Sequence, residues 1–317
     1  MKLFEDIFQI GEGISFEEKA MQMFRFQFDE NKIYRSFCDL LNVHHSDVTQ
    51  IEDIPFLPIQ FFKSHDILSN TDTVAQIFES SGTTGQIRSR HLVTDLTIYE
   101  KSFVTNFKNT YGPLEDLTIL ALLPTYLERE NSSLVYMVDQ LIKRSKNPNS
   151  GFFLNDHRQL TDRLISLDAA GEKVLLIGVS FALLELIHYQ QFSLKNAIVM
   201  ETGGMKGRRK ELIREEFHTL LKNGFGVNHI HSEYGMTELL SQAYSKGNGI
   251  FNCPKWMRVL IRDPEDALNL LSTGKTGGIN IIDLANMNSC AFIATQDLGR
   301  IYPGGGFEVL GRFDQSD

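Results

Sequence analysis

Six consecutive residues, Ser80, Ser81, Gly82, Thr83, Thr84 and Gly85, place four hydroxyls and two glycines in one stretch between two apolar runs. Hydroxyls donate and accept, and glycines let backbone N–H groups approach a ligand unobstructed, so the stretch suits an oxygen-rich anion such as a phosphate. A plain solvent loop has the same composition and remains open at this level. It is not a Walker P-loop, which needs Gly-Lys-Ser/Thr opening a helix; here Gln86, Ile87 and Arg88 lead into the β-like Arg90, His91, Leu92 and Val93. The flanks therefore predict a hairpin. A later LSTGKTGG at 271–278 does contain Gly-Lys-Thr, but Asn269 stands where the first motif glycine belongs and a β-rich run follows, which predicts a turn.

Four further segments follow the first in order: ETGGMKG at 201–207, SEYGMTE at 232–238, TQDLGRI at 295–301 and LGRFD at 310–314. Together the five resemble the adenylate-forming superfamily that includes acyl-CoA synthetases. They are most similar to the acyl-protein synthetase component of bacterial luminescence fatty-acid reductases, a likeness strengthened by IPFLPIQFFKSHDI at 54–67. The likeness runs from about Ile51 to the last residue.

That resemblance implies an α/β fold: the large N-terminal domain of an adenylate-forming enzyme, with parallel βαβ layers and a β-rich C-terminal subdomain. The mobile C-terminal domain of such enzymes would be absent or very short, since the sequence stops just past Arg312 and Asp314. It implies ATP-dependent activation of a medium or long aliphatic, or an aromatic, carboxylic acid as an acyl-adenylate. Transfer to a thiol acceptor would follow: a carrier or reductase protein, or CoA. Alternatives are a CoA ligase of the phenylacetate type and a non-catalytic nucleotide- or acyl-binding module.

By the same resemblance, residues 80–85 embrace the departing phosphates. Arg88 replaces the cation that the family usually supplies in a Pro-Lys pair. Thr237 contacts the α-phosphate and Glu238 holds Mg²⁺, in the segment that also contains Tyr234 and Gly235. A carboxylate beside a hydroxyl suits a hard cation shared with phosphate oxygens, although a helix start capped by Thr237 would read the same way. Gly203, Gly204 and Met205 would meet the adenine, Asp297 the ribose hydroxyls, and Arg312 the ribose and hinge. The family's catalytic lysine has no counterpart here, and neither does an acyl-accepting cysteine beyond Cys290.

Other polar residues have weaker claims. The basic run Lys206, Arg208, Arg209 and Lys210 is predicted at a helix start, where the macrodipole disfavours it; a solvated helix end outweighs a site for CoA phosphate or an acidic carrier. His229 and His231 would share one face of a strand over 228–231 as core or pocket-lining residues without a third metal ligand. Gly178, Val179, Ser180, Phe181 and Ala182 nearly spell a nucleophile elbow. No Asp separates Ser180 from His231, the last histidine, so Ser180 is better explained as a helix cap than as a hydrolase nucleophile.

The elements that must position these groups fit a 317-residue chain with 42% hydrophobic residues, long enough for a substantial core. A net charge of -9 excludes general attraction for nucleic acid or an anionic membrane. No run is apolar enough to span a bilayer and no signal pattern precedes it, which predicts a cytoplasmic protein. Three scattered cysteines suggest neither a disulfide framework nor a zinc cluster.

Residues 1–50 are expected to form a helical prelude with Phe16, Ala20, Met23, Phe24 and Phe28 inward. Residues 51–256 are expected to form the α/β nucleotide- and acyl-binding core. It begins with a helix carrying Leu96, Tyr99, Phe103 and Phe107, capped by Thr94 or Asp95. Strands follow at 117–123, 174–177, 197–200 and 228–231, with helices at 133–143, 156–167, 181–189 and 210–221. Their alternation predicts parallel βαβ units with ligands at strand carboxyl ends. Residues 257–317 form the β-rich remainder, with strands at 259–261, 278–283, 291–295 and 307–310.

Overall fold

The computed structural model describes residues 4–69, 72–81, 87–123, 131–154, 156–203 and 213–313. Helix α1 (Phe16–Glu30) opens at Ser15, whose hydroxyl accepts from the Glu18 amide, and α2 (Lys32–Leu40) opens at Asn31, which accepts from the Tyr34 amide. After β1 (Leu57–Pro58) and the single turn α3 (Phe61–Ser64) come β2 (Gln76–Glu79) and β3 (Arg90–Val93). Helix α4 (Leu96–Tyr111) is capped by Asp95, whose carboxylate accepts from the Thr97 amide at 2.9 Å.

Alternation follows: β4 (Thr118–Leu122), α5 (Ser133–Ser145), β5 (Gly151–Phe152), α6 (His157–Ala169), β6 (Val174–Val179), α7 (Ser180–Tyr189), β7 (Ala197–Thr202), α8 (Arg214–Phe225) and β8 (His231–Tyr234). The chain closes with short β9 (Ala243–Ser245) and β10 (Ile250–Phe251), then β11 (Met257–Arg262), β12 (Thr276–Asp283), β13 (Phe292–Ile301) and β14 (Phe307–Arg312). No described helix is long and apolar enough to cross a membrane.

Two compact units emerge. The first comprises Met1–Phe103, Met236–Gln242 and Asn252–Asp317. In it β11, β12, β13 and β14 form an antiparallel sheet in chain order, with β1 parallel beside β13. The expected hairpin is present as a separate ribbon, with Phe78 opposite His91 and Glu79 opposite Arg90. The prelude belongs to this unit: Gln27, fully buried on α1, donates to the Asn286 and Met287 carbonyls and accepts from the Ala291 amide. A buried indole completes the core, as Trp256 Nε1 donates to the hydroxyls of Ser102 and Ser241 at 3.0 and 2.9 Å. Trp256→Phe keeps most of the apolar contact but loses the indole N–H bond, while the two hydroxyls still bond each other and Ser241 still donates to Asp283, so an unfolding free energy lower by about 1 kcal/mol is expected from urea denaturation.

The second unit comprises Val104–Gly235 and Ala243–Phe251. Its sheet runs β5-β4-β6-β7-β8-β9, parallel except for the β8–β9 pair. Every residue of β4 and β6 is buried, which is why both read as continuous apolar runs rather than alternating ones. Helix α8 ends at Gly226 in a left-handed conformation (φ 70°), where a Cβ would lie 2.8 Å from the Phe192 carbonyl oxygen.

Two local expectations change. The strand expected over 228–231 starts at His231 and runs to Tyr234, so His229 precedes it and the two histidines do not share a strand face. Ser180 is the first residue of α7 and not its cap; Val179 occupies that position.

Candidate functional site

The first unit holds most of the described site residues. At the loop end of the hairpin the Ser80 amide donates to the Ser89 carbonyl, and the Ser89 amide donates to the Ser80 hydroxyl oxygen at 2.9 Å. Ser80 thus closes the ribbon, with its own hydroxyl proton still available. Ser81 follows it; Gly82, Thr83, Thr84 and Gly85 lie outside the described residues. Arg88 faces Glu79 at 3.5 Å, both partly exposed.

The turn holding Thr237 and Glu238 is set by three buried side chains. His91 Nδ1 lies 2.9 Å from the Thr237 carbonyl, and its Nε2 lies 2.9 Å from the Ser289 hydroxyl. Asn286 donates to the Glu238 carbonyl at 2.7 Å and accepts from the Leu240 amide at 3.0 Å. Asp283, with no exposed surface, accepts from the Leu240, Ser241 and Ala285 amides and from the Ser241 hydroxyl. Burial outweighs those donors and raises the Asp283 carboxyl to about 6. Glu238 is 6% exposed as a residue, so a charge there is set largely against low dielectric rather than bulk water.

Asp297 and Arg312 stand opposite each other on β13 and β14 and form an ion pair, Nε to Oδ1, at 3.1 Å. The Asp297 amide donates to the Thr295 hydroxyl, which fixes the carboxylate's backbone.

The second unit carries Gly203, Tyr234 and Gly235; Gly204, Met205 and the basic run at 206–210 lie outside the described residues. Gly203 adopts φ 68°, a conformation that glycine tolerates and that ends β7. Tyr234 is buried, its ring centroid 5.8 Å from that of Phe251.

Next to them is a polar cluster that the sequence did not announce. The Ser180 hydroxyl faces Glu201 Oε2 at 3.3 Å and the Gly203 carbonyl at 3.0 Å, while His218 Nε2 and Arg214 Nη1 face Glu201 Oε1 at 3.5 and 3.6 Å. Although burial works against it, hydrogen bonding from His218 and the charge of Arg214 lower the Glu201 carboxyl. The carboxylate lies between serine and histidine, so His218 cannot act as the base for Ser180, and the hydrolase arrangement is not formed. His231 instead takes a contact from the Tyr111 hydroxyl at 3.3 Å.

Among the described residues no group of three or more His, Cys, Asp or Glu could hold a metal ion. Mg²⁺ commonly uses one or two carboxylates together with substrate phosphates, and the buried Glu238 beside Thr237 could supply one such carboxylate.

The architecture is that of the N-terminal domains of adenylate-forming ligases. ATP-bound MatB from Rhodopseudomonas palustris superposes with a TM-score of 0.57 at 19% identity, over 77% of this chain and 49% of that one. An open form of 2-hydroxyisobutyryl-CoA ligase in complex with 2-HIB-AMP and CoA gives 0.69 at 11% identity, over 94% and 69%. The chain thus spans about half the length of MatB.

A profile of the acyl-protein synthetase family LuxE matches residues 12–317, and the chain belongs to that family of acyl-adenylate-forming ligases. A curated relative, the long-chain-fatty-acid–luciferin-component ligase of Vibrio harveyi, is 25% identical over 293 residues, 87% of this chain and 76% of the relative.

Proposed function

We propose that the protein activates a fatty acid with ATP and Mg²⁺ and passes the acyl group to a thiol held by another molecule. The observation that carries this reading is the Thr237–Glu238 turn: a buried carboxylate next to a hydroxyl, with the backbone of both residues fixed by side chains from elsewhere. A carboxylate oxygen of the acid attacks the α-phosphorus, the bond to the β-phosphate oxygen breaks, and pyrophosphate leaves with the electron pair. In this reading Thr237 donates to an α-phosphate oxygen, while Ser80 and Ser81 flank the departing phosphates, aided by the following residues to Gly85 and by Arg88. Asp297 accepts from the ribose hydroxyls and Arg312 holds Asp297 in register. The family resemblance alone assigns Gly203, Gly204, Met205, Tyr234 and Gly235 to the nucleoside and acyl group.

Glu238 would hold the Mg²⁺, which supplies charge neutralisation as negative charge builds on the phosphates. The main chain of the turn is fixed before reaction, which limits the reorganisation that charge development would require. The relative's name supports a long-chain acid. The test is exchange of labelled pyrophosphate into ATP, across acids of two to sixteen carbons as a probe panel, on the order of one chain length per two carbons. Long-chain-dependent exchange is the expected result; silence with every acid would leave a binding module.

The acceptor thiol is external in this reading. Cys38 and Cys290 are buried and Cys253 partly so, and burial pushes all three thiols up to about 12. At pH 8 the thiolate fraction is then roughly 10⁻⁴, too small for rapid acyl capture. Native protein incubated with labelled acid, ATP and Mg²⁺ should carry no hydroxylamine-sensitive label on these cysteines. Label should appear on CoA or an added thiol protein, and a labelled cysteine peptide would refute the external acceptor.

A further inference from the structure

His91 connects two segments that the proposed chemistry needs together. It lies on β3, directly opposite Phe78 in the ribbon whose end is closed by Ser80 and Ser89. Its ring is 1% exposed and packs edge-on to Phe62, with centroids 5.6 Å apart at 82°.

Both ring nitrogens are committed. The Thr237 carbonyl can only accept, so Nδ1 carries the proton and Nε2 offers its lone pair to the Ser289 hydroxyl. Burial disfavours the cation and draws the imidazole down to about 4, leaving the neutral ring in a single tautomer at neutral pH. The opposite tautomer would turn a lone pair toward the carbonyl, so the Thr237 carbonyl selects the tautomer and the Ser289 hydroxyl, donating to Nε2, holds the ring in that orientation. Ser289 is anchored in turn, since its carbonyl accepts from Asn31 Nδ2 at 2.8 Å and from the Ser69 hydroxyl. One chain of contacts therefore runs from the cap of α2 through Ser289 and His91 to the Thr237 backbone.

We propose that His91 is a positioning residue for adenylation, fixing the Thr237–Glu238 turn relative to the β2–β3 hairpin so that both engage one polyphosphate. This rests on the reading of Thr237 and Glu238 given above. The imidazole's bond is to the Thr237 main-chain carbonyl, so the control is exerted through the main chain. Positional errors near 1 Å suffice to slow a reaction of this kind strongly.

Two near-isosteric variants separate the role from simple packing. His91→Asn places an amide donor close to Nδ1 and keeps the Thr237 contact, whereas His91→Gln reaches toward Ser289 and gives that contact up. With saturating long-chain acid and Mg²⁺, kcat for pyrophosphate exchange should fall about tenfold in His91→Gln and less than about threefold in His91→Asn, with KM for ATP changed less than about threefold in both. Thermal unfolding and circular dichroism establish that each variant is folded. Ser289→Ala, which keeps the Thr237 bond and its tautomer but removes the hydroxyl that holds Nε2 and so loosens the ring's orientation, should lower kcat by about threefold with little change in KM.

Equal losses in the Asn and Gln variants, or wild-type kcat in His91→Gln, would overturn the proposal. If neither His91 variant folds, Ser289→Ala decides it, and wild-type kcat there overturns it. Glu238→Gln runs alongside. Impairment in Glu238→Gln with none in His91→Gln rejects the positioning role and keeps the adenylation reading. No exchange in the wild-type protein with any acid removes both.

Discussion

Glu238→Gln is expected to slow pyrophosphate exchange by on the order of 10²-fold at saturating Mg²⁺, the size associated with losing one preorganised electrostatic group at a reacting centre. Glutamine keeps the shape and removes the charge. The backbone of the turn should stay put, because Asn286 binds the Glu238 carbonyl and His91 the Thr237 carbonyl, independent of the carboxylate. The thermal midpoint should therefore change little while the half-activating Mg²⁺ concentration rises. KM for ATP should move less than kcat, since the ion's main contribution is to charge that develops only as the phosphate bond breaks. An unchanged rate at limiting Mg²⁺ would remove Glu238 from the mechanism.

The parallel sheet was legible because its strands are buried on both faces and spell apolar runs: 174–177 and 197–200 are found inside β6 and β7. Asp297 and Arg312, which motif order singled out, meet as cross-strand partners. What could not be read is the set of groups that act across long separations through backbone atoms. His91 reaches a carbonyl 146 residues away, and Asn286 one 48 residues away, with nothing in either local pattern to mark it. His91 sits among Leu92 and Val93 as one more strand residue. β8 was misplaced for a related reason: His231, Ser232, Glu233 and Tyr234 look polar, yet Ser232 is fully buried and Glu233 is bonded by Thr202, so tertiary partners override composition.

Glu233→Gln is expected to make stability acid-sensitive between pH 6.5 and 4.5, a window in which the wild-type second unit has two opposed contributions. Burial, with the nearby Glu201 charge adding to it, raises the Glu233 carboxyl to about 7, against the bond from Thr202 Oγ1 at 2.5 Å. A folded pKa above the unfolded one means the native state keeps a proton that the unfolded chain has lost. That contribution is complete below about pH 4.5 and vanishes as pH rises through about 7. His231 runs the other way. Burial, then the charge of Lys246, lowers it to about 4, so its contribution is complete above pH 6.5 and is lost as pH falls through about 4. In the shared window the native state holds the extra proton on Glu233 and the unfolded state holds it on the histidine, and the two slopes largely cancel. Glutamine cannot titrate but still accepts from Thr202, which leaves the His231 slope of about 1.4 kcal/mol per pH unit, or about 3 kcal/mol across the window, as the difference from wild type. Asp283, raised to about 6, and His91, lowered to about 4, titrate in the same window with opposite signs and are common to both proteins. Glu201, which is lowered, titrates below this range and does not restore the balance. Urea denaturation at pH 4.5, 5.5 and 6.5 would show the slope in Glu233→Gln and the reverse slope in His231→Gln, whereas parallel profiles for wild type and Glu233→Gln would show that the two groups do not oppose each other.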